Sequence, residues 1–313
     1  MAIQASPARE LLGGGTSILL AAALWGTTGT AQSVILDTAG PFSIGAARIV
    51  IGGLLLLVLA SFVERGASVR RLLSSSRADR RRIRLLIALG AVSVAVYQIT
   101  FFASVATTGV AVGTVVTIGS GPAFAGLLAT ALGRRPSSRW FLATAGAVVG
   151  CAALISGGES AGVVPLGIVL ALVAGFGYAS YATIAGFLIN NGDDDLAVIA
   201  ALFAGAGLLL MPGLVATTPG WLLSPMGLTV ALYLGAVTTT LGYVLYARGL
   251  RTTSVPTATT LTMAEPVVAA LLGLIVLNER LGAVALTGLG LIGVSLLLLV
   301  PRRKAPPQAT IKH

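Results

Sequence analysis

Two ionisable side chains lie inside long apolar stretches of this sequence, and they are the groups best suited to chemistry. Glu265 has ten residues of its apolar run before it and twelve after it. A carboxylate at such depth is costly unless neutralised, hydrated or paired, which makes it a functional candidate by default. It suits contact with a substrate amine or coupling to a proton. The structural alternative is a carboxyl group hydrogen-bonded at the Pro266 break, since proline leaves a carbonyl unpaired one turn earlier. Arg48 lies near the outer end of another run, a few residues after Pro41. The expected role there is structural: snorkelling to the headgroups or contact with another helix. An Arg48–Glu265 pair is conceivable from sequence but not established by it.

Polar aromatic residues extend this set. Trp25 sits mid-run, away from the interface where belt tryptophans anchor. It suits a cavity wall or a packing contact, and Gly26 beside it permits close backbone approach. Tyr97 and Gln98, Tyr178, Ser180 and Tyr181, and Tyr243 and Tyr246 fall in three further runs. Buried hydroxyls and amides need partners, from a water-filled cavity or from neighbouring helices. Tyr97 and Phe101 share a helix face, as do Tyr178 and Tyr181. Such faces suit an apolar or aromatic solute. Thr117, Thr259, Thr260 and Thr262 commonly bond back to their own helix.

Other chemistries are excluded. The single histidine is His313 and the single cysteine is Cys151. That leaves no histidine-based catalytic or metal cluster and no disulfide within the chain. No Gly-x-x-x-x-Gly-Lys-Ser/Thr loop is present to bind a nucleoside triphosphate. No catalytic residue, metal or cofactor is expected.

The elements that hold these residues follow from hydropathy. Of 313 residues, 56% are hydrophobic and 10% charged, with mean hydropathy +0.97. In water such a chain would expose one continuous apolar patch, which soluble proteins avoid. Apolar runs fall at roughly 13–34, 42–62, 84–105, 109–132, 140–157, 163–188, 196–216, 226–247, 255–277 and 281–300. Each is about long enough for ~30 Å of hydrocarbon at ~1.5 Å per residue. The first is too long for a typical signal-peptide core and is read as a helix. Eighteen of the 20 Lys and Arg residues, among them Arg65, Arg70, Arg71, Arg80, Arg81, Arg82, Arg134 and Arg135, fall on one side when ten spans alternate. Only Arg280 falls opposite, and Arg48 lies within a span. This asymmetry puts both termini in the cytoplasm and makes the net charge of +10 a topology signal, with no nucleic-acid partner implied. The acidic triplet Asp193–Asp195 is the local exception. The 301–313 segment reads as a disordered cytoplasmic tail.

A displacement of 144 residues aligns Pro122, Leu127, Leu142 and Gly146 with Pro266, Leu271, Leu286 and Gly290. It pairs the fourth run with the ninth and the fifth with the tenth. A five-helix repeat must re-enter from the opposite side, giving the inverted topology of many secondary transporters, whose sites lie near midplane between the halves. The expected fold is therefore an all-α integral membrane protein of ten transmembrane helices in two inverted five-helix repeats, residues 1–158 and 159–300. Gly109/Gly113 and Gly146/Gly150 have small-xxx-small spacing, read as helix packing and as no sign of a dimer.

Leu24-Trp25-Gly26, Ala47-Arg48, Pro122 and Glu265-Pro266 followed by Glu279, in this order, resemble the drug/metabolite transporter superfamily. More narrowly, the chain is similar to the EamA-type ten-helix exporters over essentially its whole length. The resemblance implies a central cavity between the halves, near Trp25, and small metabolites such as amino acids as solutes. The resulting expectation is an inner-membrane secondary transporter, an exporter of neutral or zwitterionic solutes working by alternating access, with protons as a candidate coupling ion. The alternative within the superfamily is a nucleotide-sugar or organophosphate carrier; it is disfavoured because anionic groups want basic residues and only Arg48, off-centre, is at hand. A membrane enzyme would need an acid/base pair or metal ligands at depth.

The charge asymmetry gives a direct test. A cysteine introduced at Ser75 in a Cys151→Ser background is expected to resist an impermeant thiol reagent in intact cells and to react once the cells are opened. Labelling in intact cells would reverse the orientation.

Overall fold

The protein is described by a computed structural model covering residues 7–35, 39–63, 69, 72, 77–155, 164–276 and 282–299. Arg65, Arg70, Arg71, Ser75, Glu279, Arg280 and the 301–313 tail lie outside the described residues, so the sequence readings made on them are neither supported nor opposed here. Every described element is helical. In chain order these are α1 Pro7–Gly26, α2 Thr28–Ser33, α3 Pro41–Phe62, α4 Arg77–Thr108, α5 Val110–Ala131, α6 Ser138–Ile155, α7 Pro165–Asn190 and α8 Asp195–Ala216. There follow α9 Pro225–Leu250, α10 Val255–Val276 and α11 Ala283–Leu299. Because α2 continues α1 after a break at Thr27, these helices correspond to the ten apolar runs.

Local sequence explains where the helices start and stop. Pro41, Pro165 and Pro225 each open a helix, where the missing N–H is an orphan anyway. The Asp194 carboxylate accepts from the Ala197 N–H at 2.9 Å and caps α8. The acidic triplet is thus put to local use: Asp194 caps, and Asp195 pairs with Arg251 at 2.8 Å. The border between α4 and α5 is tighter than the three residues expected. The helix runs through Thr108, and Gly109 alone, at φ 86°, turns the chain. A β-carbon is strongly disfavoured in that conformation.

Among the described residues, seven helices are long and apolar enough to cross a bilayer, and Ser138–Leu154 and Ala283–Leu299 are shorter apolar helices. At ~1.5 Å per residue, a 17-residue helix falls a few ångströms short of ~30 Å of hydrocarbon. The chain is an all-α multi-pass membrane protein of about ten helices. Its outward surface is apolar, with Leu54, Phe62, Leu127, Leu208, Ile275 and Leu297 all exposed. Lipid is the solvent that such a surface fits.

Inside, α3 packs on α8, α4 on both α7 and α8, α5 on α7, and α6 on α11. The helix α1 packs on α9 and α10, α9 also meets α3, and α10 meets α5. Most of these helices converge on one core built around Tyr181, Phe203, Tyr243 and Tyr246. A smaller core of Ala147, Cys151, Met263 and Ile292 joins α6, α10 and α11. Cys151 is free and fully buried, a small packing residue in this core. Tryptophan hydrogen bonds tie distant elements. Trp140 Nε1 donates to the Pro256 carbonyl at 2.8 Å, fixing α6 to α10. Trp221 Nε1 donates to Ser43 Oγ at 2.9 Å, fixing the turn before α9 to α3.

The α6–α11 crossing depends on glycine. A β-carbon at Gly150 would lie 2.8 Å from the Gly288 carbonyl oxygen and 2.9 Å from the Ile292 backbone nitrogen. These are backbone atoms that cannot step aside. Gly150→Val is expected to destabilise the protein by about 1–3 kcal/mol, the usual cost of overpacking, read as a lower melting temperature in detergent. Gly290→Val, where nothing lies near the added atom, should leave melting close to wild type.

Candidate solute site

Trp25, Arg48, Tyr97, Thr117, Ile118, Tyr178, Tyr181, Tyr243, Thr262 and Glu265 enclose one cavity deep in the helix bundle, with a volume of about 40 Å³. That is little more than a water molecule's share of liquid volume, roughly 30 Å³. The walls come from α1, α3, α4, α5, α7, α9 and α10. Six of the nine residues expected to contact solute therefore meet here: Trp25, Tyr97, Tyr178, Tyr181, Tyr243 and Glu265. Gln98, Phe101 and Tyr246 stand one layer behind. Gln98 accepts from Arg48 Nη2 at 3.1 Å and donates to the Gly45 carbonyl at 3.2 Å. Phe101 stacks on Tyr97 with ring centroids 6.0 Å apart. Tyr246 packs on Trp25 at 5.5 Å.

Two local irregularities build the site. First, α10 is broken: one helical piece spans Val255–Leu261, a turn follows at Thr262 and Met263, and a second piece runs Ala264–Val276. Pro266 sits in the first turn of the second piece, where it disrupts no helical bond. The break sets Glu265 at the start of that piece, facing the cavity. Thr262 in the turn bonds back to the Thr259 carbonyl at 2.8 Å and also meets the Tyr178 hydroxyl at 2.7 Å. Pro122, the counterpart of Pro266 in the first half, lies inside an unbroken helix.

Second, α9 passes through a π-helical segment at Leu234–Leu241. Wide turns of this kind cluster at functional sites and leave backbone carbonyls poorly served. The Thr238 carbonyl accepts from Trp25 Nε1 at 2.8 Å, and the Thr240 hydroxyl donates to the Gly235 carbonyl at 2.9 Å. Trp25 is thus both a wall of the cavity and a clamp on α9. Gly26, its neighbour, meets α10 closely: an added β-carbon would touch the Glu265 carbonyl oxygen at 2.8 Å and the Val268 side chain.

The aromatic rings form a continuous chain from Phe101 through Tyr97, Tyr178, Tyr181 and Phe203 to Tyr243 and Trp25. Arg48 and Glu265 border the same cavity, and no ion pair closes between them. The Arg48 Nε is buried without a partner. The sequence reading put Arg48 off-centre and structural. It does brace α4 through Gln98, but it is also the cavity's cation. The missing signal was three-dimensional: a distance along one helix does not say which helices converge. Thr117, Ile118 and Thr262 were likewise not singled out as lining residues, and Thr117 bonds across to the Ala171 carbonyl at 3.3 Å and not to its own helix.

Toward one end of the bundle lies a wider opening of about 750 Å³, lined by Ala39–Ser43, Ile99, Phe102 and the Thr217–Trp221 turn. Among the described residues, no cluster of His, Cys, Asp or Glu could hold a metal.

A multi-pass helical bundle around a small cavity with one cation, one carboxylate and an aromatic wall suits a membrane transporter. The chain matches the EamA-like transporter family twice, over residues 12–156 and 165–300. It belongs to that family of inner-membrane transporters. It is 36% identical over 295 residues to a Bacillus subtilis protein named "Uncharacterized transporter YwfM", covering 93% of this chain and 96% of that one. A solved crystal structure resembles it with a TM-score of 0.76 at 18% identity, over 91% of this chain and 95% of that one. At that identity the likeness is one of fold.

The clamp on α9 makes a prediction. Trp25→Phe keeps an aromatic ring but removes the buried hydrogen bond to the Thr238 carbonyl. A loss of about 1–3 kcal/mol is expected, together with faster hydrogen exchange across 234–241.

Proposed function

We propose that this protein exports small neutral or zwitterionic solutes, amino acids among them, by alternating access around the cavity between Arg48 and Glu265. The observation that carries this reading is one unpaired cation and one carboxylate facing a single aromatic-lined space. A zwitterion brings one charge of each sign and can satisfy both. A phosphorylated solute brings two negative charges to one guanidinium and meets a carboxylate, so the organophosphate alternative fits poorly. A cavity of about 40 Å³ is too small for such a solute, so the bundle must open to admit one, as rocking halves do.

Ten crossings in two inverted repeats, residues 1–158 and 159–300, accord with the packing. Replacing each apolar run by the one five later turns the α4–α7 contact into α9–α1. It likewise turns α5–α7 into α10–α1 and α4–α8 into α9–α3, and it leaves α3–α8, α6–α11 and α5–α10 unchanged. All of these contacts are present. The twofold family match supports the same reading. An odd number of crossings per repeat inverts the second copy, with both termini and the 301–313 tail cytoplasmic. Nothing in the reading calls for more than a monomer.

Glu265 is the proposed proton-coupling group. The test is solute transport in proteoliposomes between pH 5 and 9. Glu265→Gln is expected to remove the pH dependence while the protein stays folded in detergent. A mutant profile that still follows the wild-type pH dependence would exclude Glu265 as the coupling group.

A further inference from the structure

A second cleft, of about 200 Å³, lies apart from the solute cavity, between the end of α5, the last turns of α7 and the start of α10. Its floor includes Ala129, Phe187 and Val255, and Arg134 and Arg135 stand at its rim. The chain delivers these two arginines through a turn at Gly133, φ 78°, where the Arg134 N–H bonds the Ala129 carbonyl at 2.8 Å. This is a helix ending that needs glycine. A third cation joins them: the Arg82 guanidinium lies 5.2 Å from the centre of the Phe187 ring. No Asp or Glu lines the cleft. Within it, the Thr183 hydroxyl is buried and without a hydrogen-bond partner. Buried hydroxyls are ordinarily paired. Topology accounts for the arginines alone, but not for an apolar cleft beneath them holding an unused hydroxyl.

We propose that this cleft binds an anionic phospholipid from the leaflet it borders. Arg134 and Arg135 take the phosphate, the Thr183 hydroxyl offers a donor to the lipid's ester oxygens, and the first carbons of an acyl chain cover Phe187 and Val255. The volume suits part of a lipid, with the remainder lying along the apolar outer surface. Charge complementarity selects an anion, and the cleft's position at the ends of membrane-crossing helices selects a lipid over a soluble one.

The test is native mass spectrometry of the whole protein from micelles holding equal phosphatidylglycerol and phosphatidylcholine. Wild type is expected to retain phosphatidylglycerol preferentially. Replacing both rim arginines, R134Q/R135Q, should cut that retention about fivefold per arginine and leave phosphatidylcholine unchanged. A129F, which fills the floor without changing charge, should reduce retention of both lipids. Melting temperatures in lipid-free detergent check that each variant is folded. Equal retention of the two lipids by wild type, or undiminished phosphatidylglycerol in R134Q/R135Q, would overturn the proposal. So would stabilisation by inorganic phosphate alone matching that by phosphatidylglycerol, since the cleft would then take a free anion. Lipid retention is read without transport, so its failure is distinct from failure of the solute reading.

Discussion

A guanidinium and a carboxylate border one buried cavity without closing on each other, and the rest of the bundle surrounds that pair. Removing either charge from water is expensive, and a direct pair would be the ordinary remedy. Here the remedy is distributed. Gln98 braces Arg48 from one side, and the α10 break brings Glu265 to a cavity in which a solute or water can serve it. A charged pair left open is stable only if the scaffold holds the two groups apart. The helix pairings and the tryptophan clamps supply that rigidity.

The same scaffold is irregular where it touches the site. The break in α10 sets Glu265 on the cavity, and the π-helical segment in α9 lies just ahead of the wall residue Tyr243; Trp25 bonds the Thr238 carbonyl of that segment, and the Thr262 hydroxyl bonds the Thr259 carbonyl at the break. In hydrocarbon an unserved backbone group costs several kcal/mol, so such irregularity survives only with partners of this kind. Trp25 serves the first irregularity and Tyr178, through Thr262, meets the second. These helices combine fixed side-chain hydrogen bonds with a locally irregular backbone, a combination that accords with the alternating access proposed above.

Much of this was legible in the sequence. Apolar runs marked the helices because hydrophobicity is a local property. Glu265 stood out because a lone carboxylate at depth has few structural uses, and the aromatic faces were visible from their three- and four-residue spacing. Arg48 does make the expected contact with another helix, through Gln98; that it also borders the Glu265 cavity depends on which helices surround one space, which spacing along one helix does not encode. The π-helical segment left no trace either: 234–241 reads as ordinary apolar helix, and the tryptophan that bonds its Thr238 carbonyl stands 213 residues away in the chain.

The central claim is that the open Arg48–Glu265 pair selects a solute bearing one charge of each sign. The most direct measurement is thermal stability of the purified protein against a panel of zwitterionic amino acids, amines, carboxylates and phosphorylated metabolites, because a ligand that binds the folded form stabilises it by mass action. The account predicts stabilisation by one or more zwitterions, lost in both Arg48→Gln and Glu265→Gln. Stabilisation by phosphorylated compounds alone, or by zwitterions equally in wild type and both variants, would contradict it.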